Sequence, residues 1–356
     1  MRNIANFFKN IGRWLIRIFS LPPADNTSTT PKKPSVELPK TDTGKTESYP
    51  IEADKPKIET PKPTTGGIVI DPNYGAKQGY NPQFLSINLP LPKIPKTLEK
   101  ELVVPEGQHK PLLNYYHFSL AINAKRRLPQ FTAVNIDAVS YNKLKDVMPS
   151  RREIGADKWF LDPRIPKNDQ LEAAFYKNND LDIGHMVRRE DAVWGDTLEQ
   201  AIKANNDTFH LTNACPQHKD FNRNAKRWLG LENYALKNAR ANDLRISVFS
   251  GPVLLDEDKK YNNTPIPATF WKIIVMIKED GTPSATGYMI RQDDLIKDMV
   301  NLRFEYAQFE TYQVTISEIE SATQLQFGLN TYDPLQKKRG LISKPKKIGD
   351  FEDIEF

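Results

Sequence analysis

Followed from the first residue, the apolar and polar positions divide the chain into stretches of different character. Residues 1–20 carry Ile4, Phe7, Phe8, Ile11, Trp14, Leu15, Ile18 and Phe19, and steps of three and four put these on one face of a helix. Arg2, Lys9, Arg13 and Arg17 fall elsewhere, with no acid among them. Arg13 and Arg17 interrupt the apolar run, so it is unsuited to crossing a bilayer and fits the plane of a membrane interface. Two other readings stand beside that one: a secretory signal peptide, or a helix docked on its own domain or a partner. From Leu21 to about Thr65 the chain is Pro, Lys, Thr, Ser and Asp with few large apolar residues. Such a stretch cannot bury enough surface to offset ordering entropy and reads as a disordered tether. Ile68, Val69, Ile70, Phe84, Leu85 and Ile87 then return, so 66–109 reads as an extended arm that completes the 21–109 stretch.

The domain proper is expected over 110–340, with 341–356 as a C-terminal tail. Residues 116–122 and 131–136 are rich in β-formers and flank Lys125-Arg126-Arg127, which predicts a hairpin. Further strands are predicted at 246–255, 270–276, 287–290 and 312–316, and helices at 196–205, 225–241 and 315–324. Thr208 to Thr212 reads as a strand antiparallel to one ending near His185. The chain then turns at Pro216 and enters a helix with Asn222 near its start. Strands and helices do not alternate strictly, so the class is α+β with a mainly antiparallel sheet.

Composition narrows the chemistry only a little. Of 27 prolines, many fall between Pro22 and Pro111, so the folded part is shorter than the chain. Fifty Lys and Arg against 45 Asp and Glu give a formal charge of +5, which permits nucleic acid or an anionic membrane as partner without demanding either. Cys215 is the single cysteine. An intrachain disulfide and a thiolate zinc site are therefore excluded by arithmetic.

Two segments about thirty residues apart hold the chemical signal: Asp182-Ile-Gly-His185 followed by Met186-Val-Arg-Arg189, and Thr212-Asn-Ala-Cys-Pro-Gln217 followed by Asp220-Phe-Asn222, Trp228 and Leu231-Glu232. Phosphodiester cleavage needs a nucleophilic water, a base and positive charge on the scissile phosphate. Neutral histidine suits the base, with an unperturbed pKa near 6.5. A hard cation such as Mg²⁺ takes oxygen ligands and keeps several waters, so a site with few protein ligands suits it. An asparagine carbonyl can be a direct ligand, and a carboxylate can hold the metal's waters. Glu232 sits on the edge of the apolar stripe Trp228, Leu231, Ala235 and Ala239, a costly place for a carboxylate unless something holds it. Taken singly, His185 reads as a turn or core histidine, Asn222 as a helix cap and Glu232 as a solvated helix residue.

Together these residues resemble the DNA/RNA nonspecific endonuclease family, which carries Asp-Arg-Gly-His on a strand, then Thr/Ser-Asn-x-x-Pro-Gln, Asn, Trp and Leu-Glu. Asp182, Gly184 and His185 match the first motif; Thr212, Asn213, Pro216, Gln217, Asn222, Trp228, Leu231 and Glu232 match the second. A looser likeness runs from about 113 to 335. The resemblance implies a ββα-metal (His-Me finger) nuclease fold, His185 as general base, Asn222 as the direct Mg²⁺ ligand (Mn²⁺ as the alternative) and Glu232 as holder of metal-bound water. Asn213 and Gln217 would shape the site, and Asp182 and Gly184 would support the motif's strand and turn. Two departures stand out. Ile183 replaces the motif's arginine, for which Arg188 or Arg189 could compensate, with Arg126 a further phosphate-binding candidate. The gap from Asn222 to Trp228 is longer than usual, which makes Asn224 a rival ligand.

The reading is a Mg²⁺-dependent endonuclease for DNA, RNA or both. Its alternatives are a catalytically weak nucleic-acid-binding protein on the same fold, which Ile183 favours, and a membrane-tethered effector or toxin switched on by a partner. An inhibitor protein or export is expected to restrain such a nuclease, an activating protein and a homo-oligomer are left open, and the cytoplasmic face of a membrane is the expected location, with secretion or the periplasm as the alternative.

Overall fold

Why the chain forms one broad sheet is visible in its longest strands, whose side chains are buried on both faces. A computed structural model of the protein describes residues 67–223, 228–292, 311–339, 346–348 and 354. The helix expected over 1–20, the tether to residue 66, Asn224 and most of the 341–356 tail lie outside the described residues. The chain divides into two units, Met1–Lys62 and Pro63–Phe356, and every described residue belongs to the second.

The strands are β1 (Leu113–Asn114), β2 (Phe118–Asn123), β3 (Leu128–Asp137), β4 (Leu181–His185), β5 (Ala214–His218), β6 (Arg245–Val253), β7 (Lys260–Tyr261), β8 (Thr264–Pro265), β9 (Thr269–Ile277), β10 (Pro283–Arg291), β11 (Thr311–Val314) and β12 (Lys346–Ile348). Eight of them form a sheet in the order β1-β2-β3-β6-β9-β10-β11-β12, every pair antiparallel. The hairpin expected around Lys125–Arg127 is β2–β3. Helices α1 (Ala138–Leu144), α2 (Leu198–Asp207), α3 (Lys219–Asn222), α4 (Trp228–Ala241) and α5 (Ile316–Thr323) flank the sheet. The class is α+β, as expected.

Both sheet faces are covered, which is why β2 and β3 are buried at every position instead of alternating. On one face Trp228, Leu231, Leu236 and Ala239 of α4 join Ile136, Ile246, Val248 and Ile274 of the sheet in one cluster. On the other, Tyr80, Leu85 and Leu89 of the N-terminal arm and Ile316 and Ile319 of α5 meet Phe131, Phe249, Trp271 and Ile273. Each such large apolar side chain contributes about 1.5–3 kcal/mol on burial, so arm and helices are integral to the sheet. The arm is also pinned by the buried Lys77–Asp207 ion pair at 2.7 Å. Helix starts follow their caps: Thr197 accepts from Gln200 N before α2, and Thr315 forms a capping box with Glu318 before α5.

Two local expectations are corrected. Residues 208–212 are not the strand facing His185. Phe209 and His210 are fully buried, and the chain turns through a 3-10 segment at Leu211–Asn213. The facing strand is β5, so the motif residues Cys215, Pro216 and Gln217 are themselves the strand, with Gly184 opposite Cys215 and His185 opposite Ala214. Asn222, in turn, closes the short α3 instead of opening the long helix.

Candidate active site

The antiparallel β4–β5 pair followed by α3 and α4 is a ββα unit, and its sequence builds the site in layers. Gly184 has to be glycine for space. A Cβ there would lie 2.1 Å from Oε1 and 2.7 Å from Cγ of the fully buried Gln217. Gln217 therefore fills the space a side chain at 184 would need, and neither of its amide atoms has a hydrogen-bond partner among the described residues. Asn213 fixes the chain just beyond His185: its Oδ1 accepts from Val187 N at 2.9 Å, and its Nδ2 donates to Val187 O at 2.8 Å and Thr208 O at 3.0 Å. His185, half-buried at the end of β4, is flanked by Trp159 (ring centroids 4.4 Å apart) and meets Phe209 edge-on at 5.0 Å. These rings restrict the imidazole to a narrow range of orientations.

Asp182 organises the opposite wall. Its Oδ2 accepts from Asn222 Nδ2 at 3.0 Å and from Arg223 Nε at 2.8 Å, while Oδ1 accepts from Arg223 Nη2. Because an ionised carboxylate only accepts, the Asn222 amide must turn its nitrogen to Asp182 and its oxygen away.

Glu232, on α4, is almost fully buried. Its Oε1 has no hydrogen-bond partner among the described residues, and the nearest cation, Lys272 Nζ, is 3.5 Å away. Lys272 projects from the middle of β9, itself buried, with Nζ 4.6 Å from the centre of the Trp228 ring. Burial pushes the Glu232 carboxyl up to about 7, with buried Asp191 adding to the rise and Lys272 and Arg188 opposing it. Burial likewise raises Asp191.

A cleft of about 530 Å³ gathers these groups. His185, Asn222, Glu232, Asp182, Arg188 and Arg189 all line it, as does Ile183; Gly184, Asn213 and Gln217 lie buried beside it. The cleft also contains Trp159 and Arg223, which the motif reading missed. Arg223 could have been suspected from its place beside Asn222; Trp159 carries no sequence signal. Arg126 is a correction. Its guanidinium is buried, ion-paired to Asp258 and bonded to Leu255 O at 2.9 Å, so it braces a loop and has no donor exposed to a phosphate.

No group of three or more His, Cys, Asp or Glu side chains able to hold a metal occurs among the described residues. Asn222, its amide oxygen turned away from Asp182, and the buried Glu232 carboxylate line the same cleft, a small oxygen donor set that fits a hard cation keeping most of its water.

Residues 99–333 match the family of DNA/RNA non-specific endonucleases. The uncharacterized protein y4fB of Sinorhizobium fredii is 35% identical over 270 residues, covering 72% of this chain but 39% of that protein, so the chain spans well under half of it. The mitochondrial Nuclease 1 of Schizosaccharomyces pombe is 26% identical over 249 residues, covering 65% of this chain and 69% of the relative. A solved EndoG/EndoGI complex superposes with a TM-score of 0.46 at 20% identity, over 66% of this chain and 91% of that one.

Proposed function

Since this chain belongs to the DNA/RNA non-specific endonuclease family, we propose that it hydrolyses phosphodiesters of DNA, RNA or both, with His185 as general base and Asn222 as the cation's protein ligand. The observation that carries this reading is the convergence of His185, Asn222 and Glu232 on one cleft. Binding alone would not need that trio.

In the proposed reaction a ring nitrogen of His185 takes the proton from a water attacking the phosphorus in line. Trp159 and Phe209 hold the imidazole while it does so. Asn222 and, through water, Glu232 would hold Mg²⁺ or Mn²⁺, which when bound supplies positive charge to the phosphate and the leaving 3′-oxygen. Lys272 keeps charge on Glu232 against the pull of burial. The products carry 5′-phosphates. Contacts to the backbone leave base sequence unread, consistent with a non-specific nuclease.

A second reading, a nucleic-acid-binding protein with little catalysis, is favoured by one observation: Ile183 lines the cleft where the family motif has arginine. Incubating the full chain with supercoiled plasmid and with single-stranded RNA, in Mg²⁺ and in EDTA, separates the two. Mg²⁺-dependent cleavage supports the nuclease; binding without cleavage supports the second reading. Membrane tethering through residues 1–20 is a separate proposal, and failure of the full chain to bind anionic liposomes refutes it.

A further inference from the structure

Position 183 leaves a chemical gap. Ile183 and His185 share one face of β4, and both line the cleft. A dianionic, pentacovalent phosphate built against His185 would therefore meet an isoleucine where charge is needed. Three guanidinium groups line the same cleft: Arg188, Arg189 and Arg223. Arg188 bonds Asn233 Oδ1 at 2.8 Å and Glu190 Oε2 at 3.3 Å with 16% of its side chain exposed. Arg189 bonds Asn205 Oδ1 at 3.2 Å and lies 3.6 Å from Asp157, with 12% exposed. Both are committed to the wall they belong to.

Arg223 differs. It follows Asn222 directly, and 70% of its side chain is exposed. Asp182 takes only one edge of its guanidinium, the Nε–Nη2 edge. The other edge, formed by Nη1 and the second Nη2 hydrogen, carries two parallel donors that can bind a phosphate. The ion pair with Asp182 holds the planar fork in place, and that same carboxylate turns Asn222. One acid thus orients two neighbouring groups. We infer that Arg223 supplies the guanidinium that the motif loses at Ile183, and that it contacts the scissile phosphate beside the group held by Asn222. This inference rests on the nuclease reading.

The test uses the full chain and a fluorogenic oligonucleotide in Mg²⁺, with Arg223→Ala, and Arg223→Ala combined with Ile183→Arg. Arg223→Ala is expected to lower kcat/KM by about a hundredfold, and the added Ile183→Arg to restore roughly tenfold or more by returning a guanidinium to the His185 face. A purely structural role for Arg223 would not be rescued from position 183. Activity of Arg223→Ala within about threefold of wild type, or a loss that Ile183→Arg leaves unrestored, overturns the inference. Binding of a short single strand in EDTA is measured alongside and needs no catalysis. If the wild type does not cleave, the nuclease reading has failed, and the binding arm decides Arg223 alone: weakened affinity in Arg223→Ala supports the phosphate contact, and unchanged affinity overturns it.

Discussion

Asp182 Oδ2 lies 3.0 Å from Asn222 Nδ2, and this contact determines which end of the asparagine amide faces the cleft. Asp182→Asn keeps the shape but can present an amide group to Asn222, allowing its side chain to turn over, and also removes the ion pair with Arg223. The variant is expected to fold normally, to lose about 10–100-fold in activity and to need more Mg²⁺ for half-maximal rate. A Mg²⁺ titration of initial rates checks this. Wild-type rates at wild-type Mg²⁺ concentrations would show that Asp182 orients nothing of consequence.

Lys272 and Glu232 make a prediction with a sign. The folded-state pKa of Glu232 is raised from 4.5 to about 7, so its ionisation costs stability progressively as pH rises through that window. Lys272→Met removes the nearest cation and pushes that pKa higher still. The variant should be destabilised by up to about 2 kcal/mol at pH 8.5, because the wild type ionises Glu232 beside Lys272 while the variant has to keep that carboxyl protonated. The deficit should shrink at pH 6, where the carboxyl stays protonated in the fold. Urea denaturation at the two pH values measures it, and a deficit independent of pH would contradict the pairing.

Gly184 and Gln217 are coupled by contact. Gly184→Ala puts a methyl group into the Gln217 side chain and should cost about 1–3 kcal/mol, as overpacking of a filled core does. Combined with Gln217→Ala, the two changes should cost less than their sum, because the added methyl then occupies vacated space. Strict additivity in a double-mutant cycle would mean that the two residues do not share that space.

The sequence carried the site better than it carried the strand that frames it. His185, Asn222 and Glu232 stood out through the resemblance of their two motifs to the endonuclease family, since each alone reads as an ordinary turn, cap or surface residue, and the fold brings the three to one cleft. The strand facing His185 was misplaced because Thr208–Thr212 has β-forming side chains, yet their burial in a turn satisfies the same preference. Pro216 looked like a chain break. In a two-stranded sheet both strands are edges, so a proline can occupy one, and here its carbonyl accepts from Gln292 Nε2 at 3.2 Å. Arg126 was misread because its buried partner, Asp258, is 132 residues away. Lys272 drew no role for a similar reason: a lysine in mid-strand reads as solvent-facing until α4 places Glu232 over it.

The central claim is that this cleft cleaves phosphodiesters with His185 as base and a divalent cation at Asn222. Nicking of supercoiled plasmid by the full chain tests it most directly, run with Mg²⁺, with EDTA and with His185→Ala in Mg²⁺. The expected result is nicking by the wild type in Mg²⁺ only, and none above background from His185→Ala, whose melting temperature stays near that of the wild type. Nicking at the wild-type rate by His185→Ala, or in EDTA, would contradict the assignment of base and cation.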